Sequence, residues 1–369
     1  MDFKEVRRLF PITRRYLYFD ASALSPYCTP VINAQQKFDE QRRSGGSLYW
    51  DEWDEGIEDC RARLAKLINS RRSEVALVKN TSEGVNLVAL LLDWERGDNV
   101  VVTDVDFPAN VYPFLNQRSR GVEVRFIKGE EGITPRQVDE LVDERTRLVS
   151  LSHVIYRSGY RLDLAGIGRI CRKKGIHFHV DATQSLGAMR VDVRRMNIDF
   201  LSAAGYKWLL SPSGSGLFYI RKELLGMESP VLGWRSVKKP EAFDSRNYEL
   251  ADSARRFELG NYDTSAILGM RAALELLAKI GKSRVEKRVL GLSSMLLDGL
   301  RNAGIEVLSD FEEENMSGIV CVRSRAKEED LLKNKVVATV RDYTRFAAHI
   351  YNDEEDVERL VGVMQKLEK

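Results

Sequence analysis

The sequence predicts an α/β protein: a mostly parallel central sheet in a large domain, followed by a smaller α+β domain. Two observations predict it. Short apolar runs alternate with amphipathic helical stretches through the middle of the chain, and several of those runs are apolar for most of their length, as strands covered on both faces are. The last third breaks that rhythm with two long helical patterns. In order, the strand-like runs are Glu74–Val78, Asn99–Thr103, Glu123–Ile127, Arg147–Val154, His177–Asp181, Asp199–Ala203 and Gly216–Arg221. Helical periodicity fills most of the gaps, as at Ser82–Leu92 and Leu164–Lys174. Long helices follow from about Thr264 to Ile280 and from Val285 to Ala303, then the short runs Ile305–Leu308 and Gly318–Val322, then a charged helix over Glu354–Leu367. The large domain spans residues 16–260. The small one spans 261–369 together with residues 1–15, whose helix over Asp2–Phe10 packs with it.

Composition excludes several function classes. Lys+Arg is 57 and Asp+Glu is 55, a net charge of +2, so no charge excess points to a nucleic-acid or membrane partner. No apolar run approaches the ~18 residues of a membrane span. The opening Met1-Asp2-Phe3-Lys4-Glu5 lacks the apolar stretch of a signal peptide. Cys28, Cys60, Cys171 and Cys321 show neither a C-x-x-C nor a zinc spacing, and four thiols in 369 residues make no disulfide scaffold; the expected compartment is cytoplasmic.

Three segments hold the candidate chemistry. His177-Phe178-His179-Val180-Asp181-Ala182-Thr183-Gln184 is a strand ending in polar residues, and ligands of open α/β sheets bind beyond the carboxyl ends of strands. Asp199–Leu209 is an apolar strand running into Gly205-Tyr206-Lys207-Trp208; a lysine between two aromatic residues is partly desolvated, which lowers an amine's pKa and makes it nucleophilic. Lys79-Asn80-Thr81-Ser82-Glu83 lies between a strand and a helix, with Asn80 and Glu83 at capping-box spacing; hydroxyls and free N–H groups at a helix start cradle a phosphate. A phosphate cradle, a strand-end acid and a strand-end lysine are the parts that pyridoxal phosphate needs: an anchor, an amine for the aldehyde, and a carboxylate to keep the ring nitrogen protonated. A rival reading takes His177, His179 and Asp181, at i, i+2 and i+4 on one strand face, as metal ligands of a hydrolase. It accounts for three residues only, so no metal is expected.

These motifs resemble those of the class V aminotransferases, the fold-type I pyridoxal phosphate enzymes that include cysteine desulfurases and isopenicillin N epimerase. The resemblance runs from Tyr18-Phe19-Asp20-Ala21 to Tyr351-Asn352, and its most specific part is His179–Gly187 with Gly205–Trp208, the acid and the lysine lying 207 − 181 = 26 residues apart. It implies the following roles. Lys207 is the Schiff-base lysine and Asp181 the acid on the pyridine nitrogen. Gln184 bonds the cofactor's phenolic oxygen or the aldimine, Thr81 and Ser82 bind its phosphate, and Tyr206 flanks it. Phe107 stacks on the ring where desulfurases often have His. Arg345 grips the substrate α-carboxylate, and His153 and Tyr156 lie on the strand end that faces the substrate. Arg256–Asn261 resembles the segment that reaches the partner subunit's phosphate site, which implies a homodimer with shared active sites. Departures from the family pattern are Ala347 for Ser, Asn261 for Thr, Ala204 for a phosphate-binding Ser and Tyr156 for Asn.

The implied activity is chemistry at the α-carbon of an amino acid. Transamination is the first expectation, C–S lysis or desulfuration second, epimerisation third. A persulfide-forming desulfurase needs a cysteine just before the carboxylate-binding arginine, and none lies between Val322 and Lys369. Cys321 sits in an apolar run and Cys28 on an N-terminal loop near the expected site. Arg42, Arg43, Gly45, Gly46, Trp50 and Trp53 read as the end of an amphipathic helix.

Overall fold

A computed structural model describes residues 1–130 and 132–369. Its centre is a sheet of seven strands. In chain order these are β1 (Val75–Val78), β2 (Asn99–Thr103), β3 (Glu123–Ile127), β4 (Thr146–Ser152), β5 (His177–Asp181), β6 (Phe200–Ala204) and β7 (Gly216–Ile220). Every sequence-predicted strand of the central part is present, with ends displaced by at most two residues. Across the sheet the order is β1-β7-β6-β5-β4-β2-β3. Strand β7 runs antiparallel to β1 and β6, and the remaining neighbours are parallel. Strands β1, β2, β6 and β7 are buried along their whole length, which explains why their sequences are apolar for most of that length.

The principal helices are α1 (Thr29–Gly45), α2 (Trp50–Ile68), α3 (Thr81–Leu91), α4 (Leu164–Lys174), α5 (Thr264–Ile280), α6 (Lys282–Asn302) and α7 (Glu354–Leu367). Apolar clusters cover both faces of the sheet. One holds Val85, Leu87 and Val88 of α3 with Val100, Phe200 and Phe218. The other joins Val149, Phe178 and Leu201 to α2, α4 and α5. Trp53 is buried in α2 and packs edge-on to Phe38 of α1, whereas Arg42, Arg43 and Trp50 of the same segment are exposed, as at an amphipathic helix end. Helix α5, grouped with the smaller domain from sequence, shares the cluster of the large sheet through Ile267, Met270 and Leu274. Among the described residues no helix is long and apolar enough to cross a membrane.

A second, three-stranded antiparallel sheet follows, built from β8 (Ile319–Val322), β9 (Thr339–Val340) and β10 (Thr344–Ala347), with β10 central. Its apolar side meets Leu292, Leu296 and Leu300 of α6 and Val357 and Leu360 of α7. Ile305–Leu308 forms no strand; Val307 alone bridges to Val322. The N-terminal chain ties the parts together. Residues Leu17–Tyr18 pair in parallel with Val336–Val337. Arg7 of the first helix bonds Asp356, Asp353 and the Tyr351 carbonyl at the start of α7.

Candidate functional site

The carboxyl ends of β4, β5 and β6 open on one side of the sheet, and the loops there converge on Lys207. Half-buried, its Nζ lies 5.8 Å from the ring centroids of both Phe107 and Tyr206. Burial lowers the amine to about 8; the charges of Asp181 and Asp20 oppose the shift and that of Arg345 adds to it. The loop holding the lysine is fixed by close backbone packing at Gly187, where φ is +108° and a Cβ would stand 2.1 Å from the Trp208 carbonyl oxygen.

Asp181 ends β5 and is 5% exposed. Burial pushes its carboxyl up to about 6, with neighbouring Asp106 acting in the same direction, against the Thr183 hydrogen bonds and the Lys207 charge. Its Oδ1 accepts from the Thr183 N–H at 2.8 Å. Thr183 in turn meets Thr81 hydroxyl to hydroxyl at 2.5 Å, joining the strand end to the start of α3. That helix leaves its first-turn N–H groups without intrahelical partners. Asn80 caps it by accepting from the Glu83 N–H, but the Glu83 side chain reaches one residue further back than a capping box requires, to the Lys79 N–H at 2.7 Å. Ser82, exposed at the same terminus, is free for a ligand's phosphate.

Asp106 is a member of this cluster that sequence reasoning passed over. Four donors hold it: Phe107 N–H, Ser152 N–H, the Ser152 hydroxyl and the Asn110 amide. It clamps the loop of Phe107 to the end of β4. Phe107 is 46% exposed, not core, and stands edge-on to Tyr156 with centroids 5.4 Å apart. The signal was available in Asp106-Phe107-Pro108, which follows β2 as Asp181 ends β5.

Arg345 enters from β10. Its Nη1 donates to the Tyr156 carbonyl at 2.8 Å and its Nη2 to the Thr339 hydroxyl at 3.0 Å, and Thr339 donates to Asp20 at 2.7 Å. The Nε of Arg345 is buried without a partner. A buried unpaired guanidinium N–H is costly, and an incoming carboxylate would satisfy it. Asp20, at the start of the family resemblance, and Thr339 are the other residues to which the sequence assigned no role; both lie on short segments.

Other expected residues lie elsewhere. Gln184 accepts from Trp208 Nε1 and donates to the Ser22 carbonyl, both at 2.9 Å, so it pins the N-terminal loop and keeps one N–H for a ligand. Asn261 is exposed beside Gly214 and Tyr262, at a cavity that Lys207 does not line. His153 faces another cavity with Arg161, Arg190 and Lys282, because its backbone follows Ser152, whose side chain already points to the Lys207 side. Its assignment to the substrate strand end is therefore corrected: the neighbour Ser152 faces the site. The rival metal reading, already disfavoured by the sequence, does not suit the geometry either. Residues i and i+4 of a strand stand ~13 Å apart, too far for one ion. His179 is consumed by the Ser150 and Ser202 hydroxyls at 2.8 and 3.0 Å, and burial lowers it to about 3. No group of three or more metal-ligating side chains occurs among the described residues.

All four cysteines are free and buried. Cys321 lies opposite Arg345 across β8 and β10, yet its thiol donates to the Arg157 carbonyl, and burial raises it to about 12. Burial also raises Cys28, despite its place at the start of α1.

The residues present fit pyridoxal phosphate. A desolvated amine is close enough to a buried strand-end carboxylate to feel its charge, a helix start offers N–H groups and hydroxyls for a phosphate, an aromatic ring lies beside the amine, and an arginine holds an unpaired buried N–H. Comparisons with known proteins agree. A probable cysteine desulfurase of Methanothermobacter thermautotrophicus is 30% identical over 99% of this chain and 98% of its own length. An uncharacterized aminotransferase of Bacillus subtilis is 30% identical over 97% of this chain and 96% of its own. The cysteine desulfurase of Thermococcus onnurineus, solved without ligand, superposes with a TM-score of 0.91 at 26% identity, covering 99% of this chain and 98% of that one. The Aminotransferase class-V family matches residues 17–360, and the chain belongs to that family of pyridoxal phosphate enzymes.

Proposed function

We propose that this enzyme breaks the C–S bond of a sulfur-bearing α-amino acid by β-elimination, releasing the sulfur fragment instead of passing it to a thiol of its own. The burial of all four thiols carries this reading, since transfer to the enzyme needs an accessible thiolate. The names of relatives, cysteine desulfurases among them, support sulfur chemistry over the transamination that the motifs alone suggested first.

Bound pyridoxal phosphate supplies the electron sink that lets the α-proton leave. The rest belongs to the chain. Thr81, Ser82 and the first turn of α3 would hold the phosphate. Asp181 would pair with the ring nitrogen and keep it protonated. Phe107 would cover the ring without transferring a proton, unlike the histidine often found there. Arg345 orients the substrate carboxylate at Nε, and Tyr156 walls the pocket beside Phe107. The Lys207 amine, neutral in good part near pH 8, takes the α-proton. The Cβ–S pair leaves with sulfur, which takes up a proton. With cysteine as the substrate and one water consumed in hydrolysis, the balanced products are pyruvate, ammonia and hydrogen sulfide.

The test is product analysis on the purified enzyme with cysteine, cystine and a panel of other amino acids. Pyruvate and sulfide in equal amounts, with the cofactor recovered as pyridoxal phosphate, are expected, and Cys321→Ala should leave turnover unchanged. Stoichiometric pyridoxamine phosphate would establish transamination, which the aminotransferase names of other relatives favour. Racemised substrate would establish epimerisation. A persulfide on Cys321, with activity lost in Cys321→Ala, would overturn the reading.

A further inference from the structure

Behind the strand end that bears Asp181 lies a cavity of about 780 Å³ that the proposed reaction does not use. Its most telling residue is His153, 3% exposed, whose Nδ1 is buried without a hydrogen-bond partner. Burial keeps the ring neutral, at about 3, with the nearby Arg161 charge acting the same way. A neutral imidazole can donate or accept at either ring nitrogen, so an unpaired Nδ1 forgoes one hydrogen bond at the floor of a polar cavity.

The walls are rich in cations. Arg161, Arg169, Arg190, Arg195 and Lys282 all line the cavity. Their acidic counterparts are largely engaged. Glu286 pairs with Arg190 and lies 3.8 Å from Arg161. Asp163 caps α4 through the Gly166 N–H. Asp192 accepts from Asn69 and from the Arg194 and Arg195 N–H groups. Glu314, exposed at the rim, grips Arg161 through its carbonyl and not its carboxylate. Among the described residues, Arg169 and Arg195 have no carboxylate partner, and Lys282 has none either, its ammonium donating to the Lys66 and Leu67 carbonyls. Cations without carboxylate partners beside an unsatisfied ring nitrogen suit an anion that brings its own acceptor oxygens.

We propose that this cavity is a second ligand site, taking a small organic anion with one acid group on the Arg169–Arg195–Lys282 side and an oxygen on the His153 ring. The site adjoins the reaction centre through the backbone. The His153 N–H donates to the Asp181 carbonyl at 2.9 Å, and Ser152 next to it clamps Asp106. The inference is independent of which bond the enzyme breaks.

The experiment uses holoenzyme carrying ¹⁵N-labelled histidine, titrated with inorganic phosphate and with citrate at constant ionic strength. Of the 4 histidines, His179 and His349 already have protein partners at their ring nitrogens and His177 faces Asp199, so His153 alone should respond. A saturable shift of the His153 ring signals with at least one anion is expected, weakened about tenfold or more by Arg169→Ala combined with Arg195→Ala, both exposed and outside the core. No saturable shift with either anion would overturn the proposal. So would a shift that sodium chloride reproduces, or one that the double variant retains, which would place the anion at Arg345 or elsewhere.

Discussion

Two ionisable side chains in this site are held away from their ordinary behaviour, and their shifts have opposite consequences. Burial raises the Asp181 carboxyl from 3.8 to about 6, so the folded protein without cofactor binds a proton there that the unfolded chain has lost. Stability is therefore unaffected well below pH 4, falls as pH rises through that window, and is lower by about 3 kcal/mol above it. Without cofactor, Asp181→Asn should be more stable than the wild type by about 2–3 kcal/mol near pH 7.5, with the gap closing towards pH 4. Urea unfolding of both proteins across that range checks it; a gap that does not change with pH would refute the assigned cause. The same variant should lose ~10²–10³-fold in turnover when loaded with cofactor, because an amide cannot hold the ring nitrogen's proton electrostatically. Lys207 shifts the other way. Its amine, lowered to about 8 by burial against the pull of Asp181 and Asp20, is neutral and nucleophilic at a pH where a free lysine is not. Covalent capture of pyridoxal phosphate, followed by visible absorption, should speed up with rising pH and level off above about pH 8; a rate still climbing steeply beyond pH 10 would contradict the shift. Lys207, Asp181 and Thr81 stand out in the sequence because each lies where a strand or helix terminus meets a loop, a place that a linear pattern marks. His153 was misread because strand alternation, and not proximity to a motif, decides which neighbour faces a site. Asp106 went unassigned because its four donors come from two separate segments that only folding brings together.

At the level of elements, the phosphate cradle depends on how closely α3 lies on the sheet. Gly84 makes that approach possible: a Cβ there would meet Ser202 Oγ at 2.4 Å and its Cβ at 2.9 Å. Ser202 has little freedom to yield, since its hydroxyl bonds His179 beneath the helix. The buried row Ser150–His179–Ser202 thus links β4, β5 and β6 under α3 and explains why two histidines on one strand face need no metal. Gly84→Ala should lift the helix, costing about 1–3 kcal/mol of stability. It should also weaken cofactor retention, because Thr81 and Ser82 move with the helix start. Thermal unfolding and cofactor loss on dialysis are the two readouts; a stable variant that keeps its cofactor would show that the cradle does not depend on this contact. Strands such as β1 and β7 were legible because full burial on both faces makes a run apolar for most of its length. The packing of α5 was not, since a helix with apolar residues on one face fits either unit, and its partners α1 and α2 lie more than two hundred residues earlier.

For the whole molecule, the open question is what covers the surface around Asn261. The segment is rigidly presented: Glu258 accepts from the Leu77 N–H of β1 and from buried Arg61, and Tyr262 bonds the same carboxylate. A firm anchor for an exposed asparagine suggests that its partner lies outside the chain. The same cavity wall that holds Asn261 includes Trp50, which is 45% exposed, and Leu48 nearby is 87% exposed, an apolar face of the sort that subunit interfaces bury. A two-fold pairing would place Asn261 of each chain at the other's phosphate cradle, as the family resemblance implies. If so, two lesions in different chains should complement. Lys207→Ala removes the amine, and Asn261→Ala weakens the cradle it serves. Mixed by unfolding and refolding in equal amounts, random pairing puts half the dimers in the hybrid form, each with one site free of both lesions, so about a quarter of wild-type turnover should appear at limiting cofactor. Turnover no greater than the mean of the two parents, in protein that light scattering shows to be dimeric, would mean that each chain completes its own site.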